Sequence, residues 1–193
     1  MEESMQVSVW HGEEVNSNES ENLDMNLHIR KMTEKDPIVI SNAFEEQGWH
    51  KSVELYHKYV KEQGCGERIS LVAELEGEFA GYVNVIWSSY YDYFRECNIP
   101  EVCDFNVLKK YQRRGIGSKL MDKAEEIIRE KSRVAGIGVG LFSDYGNAQI
   151  LYIKRGYIPD GKGIHNGERY VKHGDSIIVN DDIVLYLKKQ LMN

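Results

Sequence analysis

Between positions 109 and 118 the chain reads Lys-Lys-Tyr-Gln-Arg-Arg-Gly-Ile-Gly-Ser, and what flanks this stretch limits the folds open to it. Upstream, Val102 to Leu108 is a strand-like run. Downstream, Ile116, Leu120, Met121, Ala124, Ile127 and Ile128 recur at helical spacing. The stretch is therefore a strand-to-helix loop at a helix N-terminus, where the first N–H groups lack intrahelical partners and the macrodipole is positive. Such a terminus favours anions. Gly115 and Gly117 remove the Cβ atoms that would keep a phosphate from those N–H groups, and Lys109, Lys110, Arg113, Arg114 and Lys119 add cations with no intervening acid. The loop reads as a pyrophosphate cradle. Glycines kept for turn geometry alone would explain the pair, but not the whole arrangement of strand, cations, glycines and helix.

Two other phosphate loops are excluded by spacing. A dinucleotide fingerprint needs a glycine where Leu120 stands, and a P-loop needs Gly-Lys-Ser/Thr, whereas Ser118 directly follows Gly117. The remaining pattern, Gln112-x-x-Gly115-x-Gly117 after the alternating apolar Phe105 and Val107, resembles the coenzyme A motif of the GNAT superfamily of N-acetyltransferases. A second stretch, Asn147-Ala148-Gln149-Ile150-Leu151-Tyr152 followed by Arg155-Gly156-Tyr157, is similar to that family's second signature. It departs at one point. The Asn common seven residues before the tyrosine is here Tyr145, and Asn147 lies five before it.

The resemblance spans about residues 27 to 191. It implies an α/β fold of α+β type: a central, mixed, mostly antiparallel sheet of six to seven strands flanked by about four helices. It also implies acetyl-CoA as acyl donor, an amine as acceptor, and no metal.

Composition agrees with one globular domain. Hydrophobic residues make up 41% and charged residues 28% of the 193 positions. The formal charge of -7 comes from residues 1 to 26, which hold seven acids and no Lys or Arg, so the body, 27 to 193, is neutral by count. This neutral body, with no basic stripe beyond the cradle, argues against nucleic acid as a partner. The Glu-, Asn- and Ser-rich tail is expected to be flexible, with Val7, Val9 and Trp10 as a candidate docked strand and Met25 as a candidate later start. A signal peptide and a membrane-spanning run are both missing from the sequence, which points to a cytoplasmic protein. Cys65, Cys97 and Cys103 are unpaired in spacing and are expected as buried or partly buried reduced thiols.

In chain order, 27 to 32 opens the sheet. Thr33 or Asp36, with Pro37, starts a helix, and Ser52 to Gln63 forms another with Leu55, Tyr56, Tyr59 and Val60 on one face. Ile69 to Leu75 and Phe79 to Trp87 form a hairpin across Glu76-Gly77-Glu78. Trp87, Tyr90, Tyr91, Tyr93 and Phe94 then crowd together, compatible equally with an acceptor-binding wall and with a packed loop or homodimer contact. Ala135 to Phe142 carries Gly136, Gly138 and Gly140 on one bare face, open to a cofactor arm or a packed helix. A helix from Asp144 to Arg155, a Pro159-Asp160-Gly161 turn, and a hairpin of Ser176 to Val179 with Ile183 to Leu187 complete the chain. His50 and His57 read as surface or rim residues.

By the resemblance, coenzyme A is held by Phe105, Asn106, Val107, Leu108, Gln112, Arg113, Arg114, Gly115, Ile116, Gly117, Ser118, Asn147 and Tyr152. A backbone N–H near Val107 serves the developing oxyanion, and Tyr152 protonates the leaving thiolate. The base stays open. Glu101 and Asp104 are three apart on one strand, which places them on opposite faces so that at most one can serve; Asp92, Glu96 and a water chain are alternatives. Acetyl transfer to a primary amine competes with a non-catalytic acyl-CoA-sensing module. Acceptor choice would lie in loops 45–66, 87–100 and 161–175.

Overall fold

The computed structural model describes residues 26–192, so the expectations for Val7, Val9, Trp10 and Met25 lie outside the described residues. The elements are β1 (Leu27–Lys31), α1 (Asp36–Glu46), α2 (Val53–Gly64), β2 (Arg68–Leu75), β3 (Glu78–Ile86), α3 (Asp92–Glu96), β4 (Glu101–Val107), α4 (Ile116–Arg129), β5 (Val134–Gly140), α5 (Gly146–Lys154), β6 (Ile158–His165) and β7 (Val184–Gln190). Seven strands form one sheet in the order β1-β2-β3-β4-β5-β7-β6. Every neighbouring pair is antiparallel except β4 and β5. The α+β architecture expected from the sequence is the one observed.

Local chemistry accounts for the boundaries. Ser52 caps α2 by accepting from the Leu55 N–H at 3.3 Å. Glu76 (φ 55°) and Gly77 (φ 83°) both take left-handed backbone, the requirement of a two-residue hairpin turn between β2 and β3. Alternate residues of these strands serve two cores. Leu71 and Val83 pack with Ile116, Leu120, Met121 and Ala124 of α4, while Val72 and Tyr82 pack with Ile40, Phe44, Tyr56 and Tyr59 of α1 and α2. Fully burying side chains of this size stabilises by roughly 1.5–3 kcal/mol each. The sheet is thus held from both faces.

Several expectations are corrected. Residues 87–94 contain the start of a short helix, α3, and Tyr91 and Phe94 are buried against Ile99 and Tyr186, so for these two the packed-loop reading holds. The bare face of β5 is filled by aromatic rings, one of them, Phe94, from the short helix α3, while Gly138 and Gly140 also border a cavity. A Cβ on Gly136 would stand 2.3 Å from the Phe94 ring, one on Gly138 3.0 Å from the Tyr186 ring, and one on Gly140 2.4 Å from the Tyr145 ring. The closing hairpin pairs β7 with β6, not with residues 176–179, because β7 already has β5 on its other edge. The Pro159-Asp160-Gly161 turn becomes a bulge within edge strand β6, where a missing N–H is tolerated. Finally, Cys65 and Cys97 are exposed and Cys103 is half-buried; all three are free thiols.

Candidate active site

The parallel pair β4–β5 is joined only at Glu101–Gly136 and Val102–Ile137. Beyond these residues the strands diverge, and two adjoining cavities of about 350 and 690 Å³ fill the wedge. They share Lys51, Phe105, Asn106, Tyr145, Ala148 and Asp181 as walls.

The larger cavity ends at the cradle. Arg113 (φ 59°) and Gly115 (φ 80°) both adopt left-handed backbone, and Gly115 is the N-cap of α4. Left-handed residues just before a helix N-terminus leave unpaired N–H groups suited to an anion. Gln112 ties the loop back to the strand, its Nε2 donating to the Val107 carbonyl at 3.1 Å. Gly117 answers to a different need: a Cβ there would stand 3.0 Å from the Phe105 ring, so its bareness lets α4 approach β4.

Val107, Gln112, Arg113, Gly115, Gly117, Ser118 and Asn147 line this cavity together with Trp49 and Tyr111. Leu108 and Ile116 turn their side chains into the two cores, and the Arg114 guanidinium lies over the Tyr111 ring. Two cradle lysines are already engaged. Lys109 stacks on Trp49, and Lys110 stands 3.5 Å from Glu78.

The smaller cavity is a chamber lined by Glu101, Cys103, Asp104, Tyr152 and Tyr186. The expectation that Glu101 and Asp104 face opposite ways is overturned by a bulge. Tyr82 pairs with Asn106 and Asn84 with Cys103, so one extra residue sits in β4, with Asp104 at φ 42°. The extra residue resets the alternation, and both carboxylates reach the same chamber.

Their surroundings differ. Asp104 accepts from Tyr59 Oη (2.8 Å), Tyr82 Oη (2.7 Å) and Asn106 Nδ2 (2.9 Å), and Lys51 Nζ stands 3.2 Å away. Its charge is fully engaged. Glu101 is 8% exposed and accepts one hydrogen bond, from Ser89 Oγ at 2.5 Å. Burial raises its pKa from 4.5 to about 7, against the lowering effect of the Ser89 bond.

Tyr152 on α5 is 5% exposed, and burial pushes its hydroxyl well above the ordinary tyrosine value. Tyr145, at the position where the resemblance expects Asn, lines both cavities and donates to Asp181 at 3.0 Å. Asn147 lines the larger cavity only. Asp92 is tied to Arg95 and is not among the chamber walls. His50 and His57 lie at the surface beside Glu45 and Glu34. Lys51, Ser89, Asp181 and Tyr186 were not singled out in the sequence, although Lys51 and Ser89 fall in loops expected to choose the acceptor; no local pattern marks any of the four.

Comparison with known proteins bears on this arrangement. Residues 66–159 match the acetyltransferase (GNAT) domain. Over that span, just under half of the chain, the sequence carries the GNAT acetyltransferase match. The matched span holds β2 through α5, hence the cradle, Glu101, Asp104 and Tyr152, while Lys51, Asp181 and Tyr186 come from outside it. An uncharacterised N-acetyltransferase of Archaeoglobus fulgidus is 37% identical over 71 residues, 36% of this chain. The match spans about half of that curated relative's length, 48%.

Among solved structures, a ribosomal-protein-alanine N-acetyltransferase from Brucella melitensis superposes with a TM-score of 0.62 at 22% identity, over 85% of this chain and 99% of that one. A Salmonella typhimurium protein assigned as an acetyltransferase, solved with its cofactor acetyl-CoA, gives 0.61 at 20% identity, over 86% and 95%. These likenesses establish a GNAT fold.

Proposed function

We propose that this protein moves an acetyl group from acetyl-CoA to a primary amine, of a small molecule or a protein, by direct attack in a ternary complex. One observation carries the reading: a wedge that starts at the N-terminus of α4 ends in a chamber holding a carboxyl poised near neutrality and a tyrosine kept protonated.

The residues present fit coenzyme A. The left-handed pair Arg113 and Gly115, at the positive end of α4, suits a diphosphate. The edge of β4 beyond Val102, released from β5, suits the polar amides of a pantetheine arm. When bound, acetyl-CoA supplies an activated thioester carbonyl and a thiol leaving group.

Glu101 takes a proton from the acceptor ammonium, directly or through water, which frees the amine lone pair. A carboxylate with a pKa near 7 is half ionised at neutral pH yet basic enough to accept. Asp104 is less available to an incoming amine because four groups already contact its oxygens. As the amine forms the C–N bond and the C–S bond breaks, Tyr152 would give its phenolic proton to the departing sulfur and regain one from the proton that the new amide nitrogen sheds, while backbone N–H groups of β4 near Val107 would be the donors to the carbonyl oxygen. The arrangement favours transfer over sensing, since neither proton state is needed merely to bind.

The test is coenzyme A release from acetyl-CoA over a panel of primary amines. Turnover with at least one amine, abolished in Tyr152→Phe, is the expected result. Binding of acetyl-CoA without turnover for every amine would identify a sensing module instead.

A further inference from the structure

Around Glu101 the chain builds more than a buried carboxyl. Ser89 is 2% exposed and its Oγ does two things: it donates to Glu101 Oε2 at 2.5 Å and accepts from the Tyr91 N–H at 2.9 Å. The second contact occupies a lone pair and so turns the hydroxyl proton toward Glu101. No hydrogen bond reaches the other carboxylate oxygen, Oε1, among the described residues, and Glu101 lines the chamber.

The backbone around Ser89 is itself clamped. Arg95 Nη1 donates to the carbonyls of Ser89 (3.3 Å) and Tyr90 (3.2 Å). Tyr91 is stacked on Tyr186 with centroids 3.7 Å apart, and its hydroxyl donates to Asp160 at 2.7 Å. A loop that would otherwise move is fixed from three sides.

We propose that Ser89 is a positioning residue for the base: it binds one oxygen of Glu101 so that the other stays free and aimed into the chamber, and it tunes the proton affinity of that carboxyl. The aromatic crowding of residues 87–94 then has a purpose in the chemistry, because Tyr91 and Phe94 are the anchors that hold Ser89 in place. The proposal rests on the reading of Glu101 as base.

The groups facing Glu101 from neighbouring elements do not compete for this role. Cys103 on β4 and Tyr186 on β7 are both driven upward by burial and stay neutral at working pH. Lys51 and Asp104, also on the chamber wall, are paired with each other. Arg95 spends its guanidinium on backbone carbonyls and Asp92.

The experiment is a carboxyl ¹³C NMR titration of the whole chain without acetyl-CoA, run beside pH profiles of kcat/KM. In Ser89→Ala the Glu101 titration is expected to move up by roughly one pH unit, as befits loss of a hydrogen bond to a charged group. The acidic limb of kcat/KM should move with it, and Ser89→Thr should bring both back. An unmoved titration in a folded Ser89→Ala protein overturns the proposal, whatever happens to the rate.

Should Ser89→Ala not fold, Ser89→Cys serves, with a weaker donor and a smaller upward shift; no shift there is equally fatal. A Glu101→Gln variant, in which the assigned carboxyl signal disappears, separates the two claims. If Glu101→Gln keeps full turnover, the assignment of the base is wrong. If it is inactive and the Glu101 titration does not move in Ser89→Ala, only the positioning role is wrong.

Discussion

The cradle and the chamber lie at opposite ends of one wedge and are built by opposite means. The cradle is a local object: one loop, two left-handed residues and a helix start within ten positions, working through backbone N–H groups. The chamber is assembled from the loop before α2, the loop after β3, β4, α5 and β7, and works through side chains whose proton states depend on burial. A backbone device tolerates changes in its side chains; a side-chain device tolerates almost none.

That contrast can be tested from both ends. The largest effect belongs in the chamber: Glu101→Gln should lower kcat by roughly 10²–10⁴ while leaving coenzyme A affinity within a few-fold. Steady-state rates and calorimetric titration would check it, and a loss of affinity as large as the loss of rate would erase the distinction between the two ends.

The same substitution should stabilise the fold at alkaline pH. The folded pKa of Glu101 is raised from 4.5 to about 7, so its contribution is fully present below 4.5 and is lost as pH rises through 7. A neutral amide at this position suffers no such loss. Denaturant unfolding of Glu101→Gln should therefore match the parent at acid pH and exceed it above pH 7, by up to about 3 kcal/mol.

Gly136→Ala, deeper in the sheet, should cost about 1–3 kcal/mol in denaturant unfolding, because its Cβ meets the Phe94 ring at 2.3 Å. At the cradle, Gly115→Ala forces a Cβ into left-handed backbone at about 1–2 kcal/mol. Coenzyme A affinity measured by calorimetry should fall about tenfold with kcat at saturation little changed. The smallest effect is expected from Lys110→Ala, under threefold in affinity, since its ammonium is exposed and already beside Glu78. A tenfold loss there would mean that the cradle works by side-chain charge after all.

How far the amino-acid order reveals these features follows the same division. The apolar face of α4, the Glu76–Gly77 turn and the cap at Ser52 all depend on neighbours within a few residues, and periodicity or turn chemistry exposes them. The Asp104 bulge does not announce itself. Alternation along β4 puts Glu101 and Asp104 on opposite faces, and only the pairing with β3 reveals the extra residue.

Residues 176–179 make a related point. Their β-branched run has the propensity of a strand, yet Ile178 and Val179 remain exposed because β6 and β5 occupy both edges of β7. Strand propensity needs a vacant partner, and vacancy is a property of the sheet. Lys51 and Ser89 were out of reach for the same reason: nothing near them in the chain says that Asp104 and Glu101 will stand opposite.

Between β4 and β5 the sheet is sewn together by only two residue pairs, at the closed end of the wedge. On one side of that seam lie β1 to β3 with α1 and α2; on the other, β5 to β7 with α5. Anything seated along the open part of the seam would act as a rivet through both half-sheets. Amides in β1 and β6, at the far margins, would then exchange their hydrogens more slowly together, although neither strand touches the occupant.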